Sequence, residues 1–84
     1  MEINSEKSYY LHVRYPWGEL RTIEVSKVSR DEDGTIRWSG ESVGLEPCLD
    51  GIISETSSWA TGWLGGTCDT LAALCEESEA PPGF

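Results

Sequence analysis

Cys48-Leu-Asp-Gly-Ile-Ile-Ser-Glu-Thr-Ser-Ser-Trp-Ala-Thr-Gly-Trp-Leu64 carries the hydrophobic spacing on which the expected architecture turns. Leu49, Ile52, Ile53, Thr56, Trp59 with Ala60, and Trp63 with Leu64 recur at three and four residues. That period places them on one side of an α-helix. The helix is poor inside: Gly51 and Gly62 each cost about 1 kcal/mol against alanine, and serine and threonine are numerous. A break near Ser57 is left open. Gly65-Gly66 ends the helix, Thr67 caps a second one, and Asp69 in its first turn suits the helix dipole. Leu71, Leu74 and Cys75 form the apolar stripe of that second helix. Helices are therefore expected near 48–64 and 67–77.

Upstream the period is two. Tyr9, Leu11, Val13 and Tyr15 alternate with Tyr10, His12 and Arg14, which predicts a strand near 8–15. Pro16-Trp17-Gly18-Glu19 supplies turn chemistry. A second strand follows near 20–28, with Leu20 and Val28 out of phase with Ile23 and Val25. That phase error is what a bulge produces. Asp33-Gly34 is a hairpin signal, and a third strand near 35–39 puts Ile36 and Trp38 on one face. The expected fold class is α+β: a three-stranded antiparallel β-meander followed by two helices packed on one face. Its core is Leu11, Val13, Ile23, Val25, Ile36 and Trp38 with Leu49, Ile52, Ile53, Leu71 and Leu74. Eighty-four residues allow one domain, expected over 1–79, with 80–84 as a flexible tail.

Charge is distributed unevenly. The first 37 residues hold seven acids and all six bases; the rest hold eight acids and no base, and the total is −9. A single-sign segment repels itself, raises encounter rates with a cationic surface and makes binding salt-sensitive. At the hairpin tip, Arg30 is expected to offset Asp31, Glu32 and Asp33.

The chemistry of sites is thin. Cys48, Cys68, Cys75 and His12 could supply a zinc set, but the nearest cysteines are seven apart rather than in a close pair. Asp31-Glu32-Asp33-Gly34 lacks the spacing of a calcium loop, and Gly62-Trp-Leu-Gly-Gly66 lacks the lysine of a phosphate loop. His12, the single histidine, has no nucleophile or carboxylate placed for it by a motif. No enzyme activity, no cofactor and no metal are expected. The odd cysteine count, the absence of a basic-then-apolar leader pattern and the absence of a long apolar run point to reduced thiols in the cytoplasm and no membrane.

What remains is binding. Trp38, Trp59 and Trp63 read as core covers, while Trp17, in a turn, suits a partner contact as well as local packing. The expected partner-binding residues are Trp17, Glu41, Glu46, Asp50, Glu55, Asp69, Glu76 and Glu77. The expected partner is the basic surface of a nucleic-acid-binding protein, with carboxylates standing where phosphates would lie and no direct nucleic-acid contact. In size and charge the chain is similar to the small acidic proteins that phages use against host defence enzymes, including anti-CRISPR proteins and nucleic-acid mimics. That similarity covers charge and length, not residues. The alternative is an assembly subunit that forms a homodimer or larger oligomer through an exposed sheet edge and its aromatic face.

Overall fold

Alternation, rather than a helical period, runs through Trp59–Leu64: Ala60, Gly62 and Leu64 are buried, and Trp59, Thr61 and Trp63 are half-buried. The computed structural model describes residues 1–40 and 44–84 and is all-β. Six strands follow in order: β1 (Tyr9–Arg14), β2 (Leu20–Arg30), β3 (Ile36–Ser39), β4 (Cys48–Glu55), β5 (Trp59–Leu64) and β6 (Leu71–Cys75). Each pairs antiparallel with the next, and β6 pairs antiparallel with β1, closing the sheet into a barrel.

The expected α+β class, with its two helices, is thus overturned. The three expected strands are present, but the segments read as helices are β4, β5 and β6. The physical reason lies in the residues that made the helix poor. Thr56 Oγ1 accepts from the backbone N–H groups of Ser58 and Trp59, and Thr56 N–H donates to Trp59 C=O at 2.8 Å, so 56–59 is a tight turn. That turn sits where the helix was left open to a break, and it joins β4 to β5. Gly62 is required by close approach: a Cβ there would stand 2.7 Å from the carbonyl oxygen of Asp50 on β4. Gly51, at φ +59°, lies under the indole of Trp63, where a Cβ would be 2.8 Å from Cδ1. Both glycines serve the β4–β5 pairing, whose register slips between Asp50 and Ser54. In β6 the run Leu-Ala-Ala-Leu-Cys is apolar on both faces, because both are covered.

The core fills the barrel. Tyr9, Leu11 and Val13 of β1, Val25 and Val28 of β2, Ile36 and Trp38 of β3, Leu49 of β4, Ala60 and Leu64 of β5, and Ala72 and Leu74 of β6 form one buried cluster. A ring of six leaves little interior volume, and the small inward residues Ala60, Gly62 and Ala72 make room for Tyr9 and Trp38. Val25 and Val28 both point inward although they are three apart. The β2–β3 register shifts between Ser26 and Ser29, and Lys27 in that bulge takes φ 54°. The phase error in the sequence is this bulge. Met1 and Ile3 pack on the core from one end, where Asn4 N–H donates to Tyr9 Oη at 2.9 Å.

Antiparallel order fixes which connections share an end. The β1–β2, β3–β4 and β5–β6 connections lie at one end, called lower; residues 1–8, the β2–β3 and β4–β5 turns and the segment after β6 lie at the upper end. Among the described residues there is no helix long and apolar enough to cross a membrane.

Ile53, expected in the core, is 57% exposed on the outer side of β4. Ile53→Asp is therefore expected to change the unfolding free energy by no more than about 0.5 kcal/mol. Leu64→Ala, from the fully buried cluster, should cost about 2–5 kcal/mol. Urea titration of both variants decides it: an unfolded Ile53→Asp protein would restore the helical phase and refute the barrel.

Candidate functional site

The closed ring interleaves the two halves of the sequence. Arg30 Nη2 reaches Glu55 at 3.0 Å, Arg37 reaches Asp31 at 2.6 Å and Glu46 at 3.3 Å, and Lys7 reaches Glu76 at 3.1 Å. The Met1 ammonium also meets Glu55, at 2.8 Å. Glu55 is held below the usual carboxylate range, first by its bond from that ammonium and then by Arg30. Three carboxylates of the base-free half are thus partnered by cations of the other half. Arg30, expected to offset the β2–β3 tip, pairs instead with Glu55 at the end of β4, one strand beyond β3.

Charge separates by barrel end instead. The upper end, with the segment that runs down from it after β6, carries nine carboxylates: Glu2, Glu6, Asp31, Glu32, Asp33, Glu55, Glu76, Glu77 and Glu79. Against these stand four cations: Lys7, Arg30, the Met1 ammonium on Glu55, and Arg37, which reaches Asp31. Glu2, Glu6, Glu32, Asp33, Glu77 and Glu79 make no ion pair among the described residues. Asp33 is held low chiefly by the backbone N–H of Thr35, which donates to its Oδ1 at 3.1 Å. Among the described residues the lower end has Glu19, Glu46 and Asp69 against Arg14 and Arg21, with Arg21 3.5 Å from Glu19.

The expected partner-binding residues are not gathered on one surface. Glu55, Glu76 and Glu77 are at the upper end; Glu46, Asp69 and Trp17 are at the lower; Asp50 is on the wall, accepting from Gly51 N–H at 2.8 Å and Thr35 Oγ1 at 3.4 Å. Glu41 lies outside the described residues. Trp17 is 72% exposed and stacks on Tyr15 with centroids 4.8 Å apart. Leu20 beside that hairpin is 65% exposed. The carboxylates of this set absent from the expected partner-binding residues are Glu2, Glu6, Asp31, Glu32, Asp33 and Glu79. Once strands and turns are paired into hairpins, the common end of alternate connections is the signal that finds them.

Among the described residues no three of His, Cys, Asp and Glu come together as a metal site. Cys48 and Cys75 are buried, Cys68 is exposed, and all three are unpaired. Burial pushes the Cys75 thiol up to about 11, far from a reactive thiolate. His12 sits on the outside of β1, 7% exposed, with Nδ1 2.9 Å from Thr22 Oγ1 and Nε2 without a hydrogen-bond partner. Compared with models of protein families, with curated proteins and with solved structures, the chain matches none.

Burial is the main force on the His12 ring and lowers its pKa; the nearby backbone carbonyls of Glu77 and Glu79 oppose this only in part. A depressed folded pKa means that His12 contributes stability above its unfolded value, about 6.5, which is lost as pH falls through the folded value. As the single histidine, its ring gives one proton NMR titration. The midpoint is expected below that of the urea-unfolded chain; a midpoint at or above it would show that the ring is not buried as described.

Proposed function

We propose that the protein is a small non-enzymatic binding protein whose upper end docks on a basic surface of a partner, of the kind that holds nucleic acid. The observation that carries this reading is the charge imbalance of the upper end and the segment after β6, nine carboxylates against four cations. Six of those carboxylates have no internal ion pair and can therefore lead an encounter with a cationic groove. Glu32 and Asp33 sit on the β2–β3 turn and the other four on the segments before β1 and after β6; together they form a single-sign field, which raises association rates and disfavours like-charged partners. Inhibition of a nucleic-acid-handling enzyme, the use phages make of acidic proteins of this size, is the role this reading favours. Three unpaired thiols suit a reducing compartment such as the cytoplasm.

Assembly through the aromatic surface is the second reading, and exposed Trp17 and Leu20 favour it. Its sheet-edge form does not stand, because β6 closes on β1 and the ring has no edge strand.

Immobilised protein should capture a partner from lysate that elutes early in a salt gradient, since exposed charges are screened over about 8–10 Å at physiological ionic strength. Glu32→Lys, Glu77→Lys and Glu79→Lys together should slow association about tenfold or more while leaving the melting curve near wild type. The captured partner should lose its nucleic acid in competition with this protein. Capture that resists high salt and ignores the triple reversal would leave the carboxylates as solvation and hand the function to the Trp17 surface.

A further inference from the structure

His12, Ala73 and Cys75 occupy outward positions on β1 and β6, opposite in phase to Leu11, Val13, Ala72 and Leu74, yet all three are buried. The cover is the segment after β6, residues 76–84, laid as a strap across the outside of the barrel. The carbonyls of Glu77 and Glu79 stand near His12. Ala80 shares a cleft of about 260 Å³ with His12, Thr22 and Leu20. Pro81 and Pro82 share another, of about 290 Å³, with Cys75 and Trp59. At the far end the Arg14 guanidinium lies 4.8 Å from the centre of the Phe84 ring.

The strap is weakly tied. Where the strap begins, Glu76 N–H donates to Ser58 C=O at 3.1 Å and Lys7 Nζ reaches the Glu76 carboxylate at 3.1 Å; near its end Arg14 Nη2 donates to Gly83 C=O at 3.4 Å. The backbone of 77–84 joins no strand of the barrel. Clefts open on both flanks, so the strap does not fill its bed. The bed, however, is an apolar row that water would meet if it were bare. A weakly tied cover over a surface that must stay covered is the condition for exchange between identical chains, because the same contacts are remade in the partner copy.

We propose that this bed is an interface between two copies of the chain, with residues 80–84 of each copy lying on β1 and β6 of the other. Monomer and strap-exchanged dimer are then in equilibrium. The occupant is named by what fits: Ala80-Pro81-Pro82-Gly83-Phe84 is the sequence seated there, with Pro81 buried. The linker favours reaching out. Glu77 and Glu79, which make no ion pair among the described residues, repel one another and extend the chain. With 80–84 docked, residues 76–79 bridge the copies and can span about 14 Å, so the two barrels lie side by side. This inference does not rest on the cationic-partner reading; the two can fail separately.

The three cysteines make the test. Cys68 is exposed, Cys75 lies beneath the strap, and Cys48 lies in the β3–β4 wall away from it. Light scattering of the wild-type chain should show monomer at micromolar and dimer at millimolar concentration. The Pro81→Gly/Phe84→Ala chain should remain monomeric over the same range. In that variant Cys75 should alkylate at a rate approaching that of Cys68, with Cys48 still protected. Isotope-labelled variant mixed with unlabelled wild type at ten times the dimer dissociation constant should show Cys75 alkylation slowed about tenfold, as a strap docks in trans. A wild-type chain that stays monomeric throughout overturns the proposal, whatever the variants do. So does a variant that still dimerises, which would move the contact to another surface, or a Cys75 that wild type fails to protect.

Discussion

Ring closure between β6 and β1 is the constraint from which the rest follows. Five residue pairs, from Tyr10↔Cys75 to Arg14↔Leu71, convert an antiparallel meander into a barrel. With the ring shut, one row of side chains per strand must fill a small interior. This sets the demand for alanine and glycine on β5 and β6 and for bulk on β1 and β3. Closure also lays the outer rows of β1 and β6 side by side. Ala73, Cys75 and His12 then make an apolar exterior that needs a second layer, which the strap supplies.

The same closure rearranges the electrostatics. In the linear chain, acid and base are divided by position. In the ring, β4 lies beside β3, and the segment after β6 returns to the region where residues 1–8 cross. The β2–β3–β4 neighbourhood lets Arg37 serve both Asp31 and Glu46 and Arg30 serve Glu55, and the seam itself lets Lys7 serve Glu76. What survives as an uncompensated field is set by turn placement: the upper connections are acid-rich, and most of the cations near them are already engaged.

The first half of the fold was legible because its signals were local. Period two, a Pro-Trp-Gly turn, an Asp-Gly tip and a phase error at Val28 each have one simple reading, and the structure gives each a place. The second half misled because Leu49, Ile52, Ile53, Thr56 and Ala60 satisfy a helical period by coincidence. The contrary signals were present in the same stretch. Gly51 and Gly62, the Thr56-Ser57-Ser58 run and the alternation of Trp59, Thr61 and Trp63 with Ala60, Gly62 and Leu64 all suit strands and a turn. Periodicity alone cannot rank these readings; only the non-local pairing of β6 with β1 can. For the candidate surface, sequence counting identified an acidic character but not its location. Location depends on which turns share an end, and that depends on the number of strands.

Closure also orders events in time. Tyr10 and Cys75, joined across the seam, are about 65 positions apart, and contacts so distant are made slowly, after the local hairpins have formed. A growing chain can assemble β1 to β5 as an open sheet well before β6 is available. During that interval both outer strands offer unpaired backbone, and the inward row faces water on one side. The last strand to arrive is Leu71-Ala-Ala-Leu-Cys75, five apolar residues without a charge among them. Glu76 and Glu77 follow it directly and Asp69 precedes it by two positions. Acidic residues beside a strand that must remain apolar act as gatekeepers, keeping it apart from other chains until its own seam is ready.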